Sequence, residues 1–165
     1  EGSELARYRK MNPFPLAEEE KYYPAGKGPV VFQIGDWAVA PLICYDLRFP
    51  EPFRQATAMG AEILVVIANW PIVRVDHWTT LLRARAIENQ VYMVSPAQIG
   101  SHGNGKQCFG NTMIVDPWGT VLARAPEREC VVVAEVDYIA QDKVRAELPS
   151  LQHRRPAVYQ GQLRD

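Results

Sequence analysis

Cysteine is scarce, with Cys44, Cys108 and Cys130 the only three in 165 residues. An odd number at wide spacing argues against a disulfide framework, and with His77, His102 and His153 these cysteines show no zinc-ligand spacing, so no metal is expected. An excess of one charge is also missing. Eighteen Lys and Arg against nineteen Asp and Glu leave a formal net charge of −1. With both signs spread along the chain there is no basic face for nucleic acid and no acidic tail. Long apolar runs are absent too. Ile63 to Ala68 falls far short of the ~20 residues that span a bilayer, and the first residues carry no signal-peptide pattern. The expectation is a cytoplasmic protein with no membrane and no nucleic-acid partner. No internal repeat or interdomain linker interrupts a composition that is 47% hydrophobic and 22% charged. Residues 1–165 therefore read as one globular domain or part of one.

What is present falls into order along the chain. A short strand is expected over Leu5 to Lys10. The two prolines of Met11-Asn-Pro-Phe-Pro-Leu then exclude a regular helix and give a rigid loop. Glu18, Glu19 and Glu20 follow, ordinarily a solvated triplet, and Tyr22 to Pro29 is rich in turns. Val30 to Ile34 and Trp37 to Ile43 read as strands joined by a Gly35-Asp36 hairpin turn. A helix from Pro50 to Met59 is closed by Gly60, and Ile63 to Ala68 reads as a strand buried on both faces. Asp76 is positioned to cap a helix running to about Gln90, with Trp78, Leu81, Leu82 and Ile87 at helical spacing. Strand Val91 to Ala97 comes next. Gly100 to Gly110 reads as a flexible loop, without the ending of a phosphate-binding loop. Thr112 to Asp116 and Thr120 to Ala123 pair across a Pro-Trp-Gly turn, and Cys130 to Val136 reads as another strand. A helix over about Tyr138 to Ala146 precedes a proline-punctuated, extended segment, about 148–165, suited to packing on another surface.

Cys44 sits where the second strand meets the Pro-Glu-Pro start of a helix. A thiol at that place lies near the positive end of the helix, which lowers its pKa and favours the thiolate; the alternative is a buried structural cysteine. A nucleophile also needs a proton acceptor and an oxyanion partner. Histidine is the usual acceptor, but the nearest, His77, reads as a helix-start residue.

Four motifs decide between these readings. They are Tyr8-Arg-Lys10-Met with Asn-Pro-Phe, a glutamate before a Tyr-x-x-Gly turn, Cys44-Tyr-Asp-Leu-Arg-Phe-Pro-Glu, and Arg83-Ala-Arg-Ala-Ile-Glu-Asn89. In this order they resemble the nitrilase superfamily of carbon-nitrogen hydrolases. Val115-Asp-Pro-Trp-Gly-Thr and Gln152-His-Arg-Arg-Pro are similar to its Nit-type amidases, so the resemblance runs from about Tyr8 to Tyr159.

The resemblance implies an α/β fold, a four-layer α-β-β-α sandwich, here lacking its N-terminal part. It implies a Glu-Lys-Cys triad with Cys44 as nucleophile and Lys10 as the lysine that stabilises the oxyanion with the backbone N–H of Tyr45. Glu19, seven residues before Gly26, matches a second family glutamate that orients the lysine; Glu18 and Glu20 remain solvated. The triad glutamate that acts as base lies upstream of Tyr-Arg-Lys in this family and is not in this chain. The implied partner is therefore the missing N-terminal part of the same domain, whose absence leaves apolar sheet surface to aggregate or pair.

The implied reaction is hydrolysis of a non-peptide amide of a small substrate, with no cofactor. Cys44-Tyr-Asp-Leu-Arg-Phe-Pro and Ala68-Asn-Trp-Pro71 resemble ω-amidases, and the Gln-His-Arg-Arg-Pro ending resembles deaminated-glutathione amidases. Arg48 reads either as a fork for a substrate carboxylate or as a structural ion-pair residue. Trp70 reads as a pocket wall or as core. Arg85 and Glu88 suit a structural ion pair. A homodimer or larger assembly is expected, and the competing class is a non-catalytic scaffold remnant.

Overall fold

The computed structural model describes residues 2–103 and 105–159. Residues 160–165 of the expected C-terminal packing segment lie outside these. The centre of the molecule is a mixed six-stranded sheet. It is built from β1 (Phe32–Ile34), β2 (Trp37–Ile43), β3 (Ile63–Ile67), β4 (Tyr92–Ser95), β7 (Met113–Val115) and β8 (Val121–Arg124), adjacent in that order. β2, β3 and β4 run parallel, and β1, β7 and β8 are antiparallel to their neighbours. The two-residue turn between β1 and β2 places Gly35 at φ 57°, a conformation glycine adopts without a Cβ penalty.

The parallel strands need crossovers, and α1 (Pro50–Ala58) and α2 (Val75–Asn89) supply them. α1 ends in a Schellman motif: the N–H of Gly60 donates to Thr57 O (2.9 Å) and that of Ala61 to Ala56 O (3.0 Å), with Gly60 at φ 97°. Register assigns the two sheet faces. Ala40, Leu42, Leu64, Val66, Met93, Met113 and Val115 form one face and enter the core with Phe53, Trp78, Leu82 and Ala86 of the two helices. Val39, Pro41, Ile43, Ile63, Val65, Ile67 and Val94 form the other, and Ile67 is 51% exposed there. Of the four layers expected, these elements form one helix layer and one sheet.

α3 (Tyr138–Glu147) is capped by Asp137, whose carboxylate accepts from Ile139 N at 2.8 Å. Its Gln141 donates to the carbonyls of Glu62 (2.9 Å) and Gln90 (3.2 Å), which fastens the helix to the starts of β3 and β4.

Several expectations are corrected. Leu5 to Lys10 forms no strand; it is held instead by side chains, Tyr8 OH donating to Asp46 and Lys10 Nζ to Glu19. Asp76 does not cap α2, because the helix starts one residue earlier with Arg74 at the N-cap. Ile87 is not core but 48% exposed, packed against Gly119, where a Cβ would meet it at 2.5 Å. The glycine-rich loop contains a hairpin, β5 (Ile99–His102) with β6 (Lys106–Phe109). Cys130 to Val136 pairs with no strand among the described residues, and Val131 is 88% exposed. Beyond Leu148 the chain turns on Pro149, whose carbonyl accepts from Gln152 and His153 N–H, and residues Pro156–Tyr159 form one helical turn, α4, rather than staying extended.

Candidate active site

β2 delivers Cys44 at the end of the sheet, and the next residues coil into a 3-10 helix, Cys44–Arg48, before α1. Cys44 has φ 46°. A left-handed backbone at a non-glycine residue costs energy and persists where the surroundings hold it. Asp46 does much of that holding. Fully buried, it accepts from Ile43 N (3.0 Å), Tyr8 OH (2.7 Å), Asn12 N (2.8 Å) and Asn12 Nδ2 (2.9 Å). One carboxylate thus ties the elbow to the segment that carries Lys10. From the helix side, Arg85 Nη2 donates to Leu47 O at 2.9 Å.

Lys10 is positioned twice more. Its carbonyl accepts from Gly26 N at 2.8 Å, and a Cβ on Gly26 would lie 2.0 Å from the Arg9 carbonyl oxygen, so the Tyr-x-x-Gly turn needs glycine for close approach. Lys10 Nζ donates to Glu19 Oε2 at 2.6 Å, and the same oxygen accepts from Phe14 N at 2.8 Å. Both side chains of the pair are largely shielded from solvent, 13% and 28% exposed, so the attraction is less screened than at the surface. Glu18 and Glu20 remain on the solvent side: Glu18 pairs with Lys21, and neither lines the cavity.

Cys44, Lys10, Glu19, Tyr45, Arg48 and Trp70 line a single cavity of ≈ 800 Å³. Tyr45 packs between Phe14 and Phe49, ring centroids 4.8 and 5.3 Å away. Its N–H lies in the first turn of the 3-10 helix, where backbone donors have no partner within the helix. Trp70 fills both roles considered for it. It borders the cavity, yet it is 4% exposed, packs on Trp78 at 5.3 Å and donates to Arg74 O at 2.7 Å. Arg48 lies over the Trp70 ring, 5.1 Å from its centroid, and is not in an ion pair with any described residue. Arg85 and Glu88 do pair, at 3.1 Å. His77 approaches Arg48 and does not line the cavity.

The electrostatics are one-sided. Arg9, Lys10, Arg48, Arg74 and Lys106 line the cavity against one carboxylate, Glu19. Burial pushes the Cys44 thiol up, opposed by the Lys10 ammonium and reinforced by Glu19 and Asp46. The lowering expected from the helix terminus is therefore outweighed by desolvation. The Cys44 thiol donates to Asn69 O at 3.7 Å, and Cys108 donates to Asn69 Oδ1 at 2.6 Å. Asp46, Tyr8, Asn12 and Asn69 were not picked out from sequence. An acid two residues past the elbow in an apolar stretch was the one available signal, since a buried carboxylate needs several donors.

Comparison with known proteins identifies the family and the fold. The chain is 40% identical over 159 residues to the 2-oxoglutaramate amidase of Bacillus subtilis (strain 168), covering 96% of this chain and 61% of that protein. It is equally 40% identical, over 163 residues, to the deaminated glutathione amidase of Synechocystis sp. (strain PCC 6803 / GT-S), covering 93% of this chain and 60% of that one. It therefore spans about three-fifths of the length of these curated relatives. The carbon-nitrogen hydrolase of Helicobacter pylori G27 superposes with a TM-score of 0.93 at 26% identity, over 99% of this chain and 62% of that one. The model of the carbon-nitrogen hydrolase family matches residues 1–144. With the α/β fold shared and most of its length matched, the chain belongs to the carbon-nitrogen hydrolase family, in the nitrilase superfamily.

Proposed function

We propose that this chain carries the nucleophile, oxyanion and substrate-binding parts of an amidase that hydrolyses the terminal amide of a small carboxylate-bearing substrate. The observation that carries this reading is the Lys10–Glu19 pair sharing one cationic cavity with a cysteine on a strained elbow. A base takes the Cys44 proton and the thiolate attacks the amide carbon. The oxyanion is held by Lys10 and the Tyr45 N–H. Ammonia leaves with a proton, giving a thioester, and water activated by the same base releases the acid and the thiol. Glu19 aims the Lys10 side chain. Glu19 is committed to Lys10 and Phe14, and Asp46 to four donors, so neither serves as that base, which the family resemblance assigns to a further glutamate. Assembly into homodimers or larger forms belongs to the same reading, as does a cytoplasmic location. No helix among the described residues is long and apolar enough to cross a membrane.

Arg48, stacked and without a carboxylate partner among the described residues, anchors the substrate carboxylate. This favours an ω-amidase, acting on 2-oxo acid monoamides. The second reading, a deaminated-glutathione amidase, is favoured by the Gln152-His-Arg-Arg-Pro156 ending and by equal identity to such a relative. Ammonia release from 2-oxoglutaramate and release of the dipeptide cysteinylglycine from deaminated glutathione, measured on the assembled enzyme, separate the two. The enzymatic reading requires Cys44→Ala to abolish release from both; release that survives in Cys44→Ala, or a folded assembly without any release, overturns it.

A further inference from the structure

We propose that His77 is a positioning residue that fixes the Arg48 guanidinium for the substrate carboxylate, a role that rests on the reading of Arg48 given above. Arg48 Nη1 and Nη2 lie 3.3 and 3.4 Å from His77 Nδ1. A guanidinium has five donors and no acceptor, so Nδ1 must present its lone pair and the ring proton sits on Nε2. The opposite constraint comes from Trp70, whose ring lies beneath the guanidinium at 5.1 Å. That ring is itself immobile, tied through Nε1 to Arg74 O and packed on Trp78. Trp78 follows His77 directly in the first turns of α2, so the acceptor and the support for the platform share one rigid element.

Arg48 is thereby held between an imidazole edge and an indole face while the remaining N–H groups stay available to a ligand. No Asp or Glu among the described residues pairs with it; Asp76 directly precedes His77 in the chain and Arg74 lies three residues before it. Without His77 the long side chain regains its rotamers, and each carboxylate captured must then order it again. Because His77 does not line the cavity, it acts through Arg48 alone.

The test uses Cys44→Ala, which holds a substrate unreacted, and calorimetric binding of two probes of equal length: succinamate, which bears a carboxylate, and butyramide, which does not. His77→Ala in this background weakens succinamate by about three- to tenfold, less than a full charge-assisted hydrogen bond because the loss acts only through Arg48, and leaves butyramide unchanged. His77→Asn, with an acceptor near the Nδ1 position, restores succinamate binding to within about twofold. Unchanged succinamate binding in His77→Ala, equal weakening of both probes, or failure of Asn to restore it overturns the inference. Arg48→Ala separates the two levels. If it loses succinamate selectivity while His77→Ala does not, the positioning role fails and the carboxylate reading stands. If Arg48→Ala has no effect, or succinamate does not bind at all, the carboxylate reading falls and the role of His77 falls with it.

Discussion

Asp46 illustrates how much can rest on one side chain without chemistry of its own. Its four hydrogen bonds join the elbow to the Tyr8–Asn12 segment, so truncation leaves several buried donors unpaired at once. Asp46→Ala is expected to cost about 3 kcal/mol or more, seen as a lower urea midpoint, and to loosen Lys10 relative to Cys44. The charges around the thiol make a separate prediction. The Lys10 ammonium opposes the burial that raises the Cys44 pKa. Lys10→Met removes that opposition, so the thiolate forms only at still higher pH. The rate of Cys44 alkylation by iodoacetamide, followed from pH 7 to 10, will shift to higher pH in the variant; a shift to lower pH contradicts the assignment.

One turn and one helix hold the reactive segments in place. Gly26 brings its turn against the backbone at Arg9 and Lys10, so Gly26→Ala must push the lysine-bearing segment away from the cavity. The expected cost is about 1–3 kcal/mol by thermal unfolding, with slower Cys44 alkylation at fixed pH as the local sign that Lys10 has moved. α2 contributes Arg85, whose guanidinium reaches Leu47 O in the elbow as well as Glu88. Its Nε is buried without a partner. Arg85→Lys keeps the charge but cannot make both contacts, and is expected to lower stability by about 1–2 kcal/mol in chemical denaturation. The Arg-Ala-Ile-Glu-Asn stretch was legible as structural; its grip on the elbow was not, because that contact spans 38 positions.

At the scale of the molecule, the described residues cover one face of the sheet fully and the other only in part, with Val39, Tyr92 and Ile114 buried there. Ile63, Val65 and Ile67 alternate with the core residues Leu64 and Val66, yet stay partly or largely exposed. Apolar area of that kind drives association at roughly 25 cal/mol per Å² buried. The chain alone is expected to bind a hydrophobic dye and to associate with rising concentration in sedimentation experiments; Ile67→Lys should reduce both. A monomer without dye binding would show the face to be adequately solvated. The hairpin of β5 and β6 lay beyond sequence reading for a related reason. Its glycines resemble a loop, and only the pairing of Ile99 with Phe109 across it makes them a sheet.

The sequence by itself determined the central strands, their connecting helices and the identity of Cys44, Lys10 and Glu19 as candidates. The elements rest on local pattern, the apolar runs of β2 and β3 with proline and glycine at the ends of α1, and the three candidates on short motifs that resemble the family's. Tertiary structure decided what those residues meet. It placed Lys10 on Glu19, gathered Tyr8 and Asn12 around Asp46, stacked Arg48 on Trp70 and against His77, and raised rather than lowered the Cys44 pKa. Desolvation and hydrogen bonding depend on neighbours distant in sequence, and so they become visible only once the chain is folded.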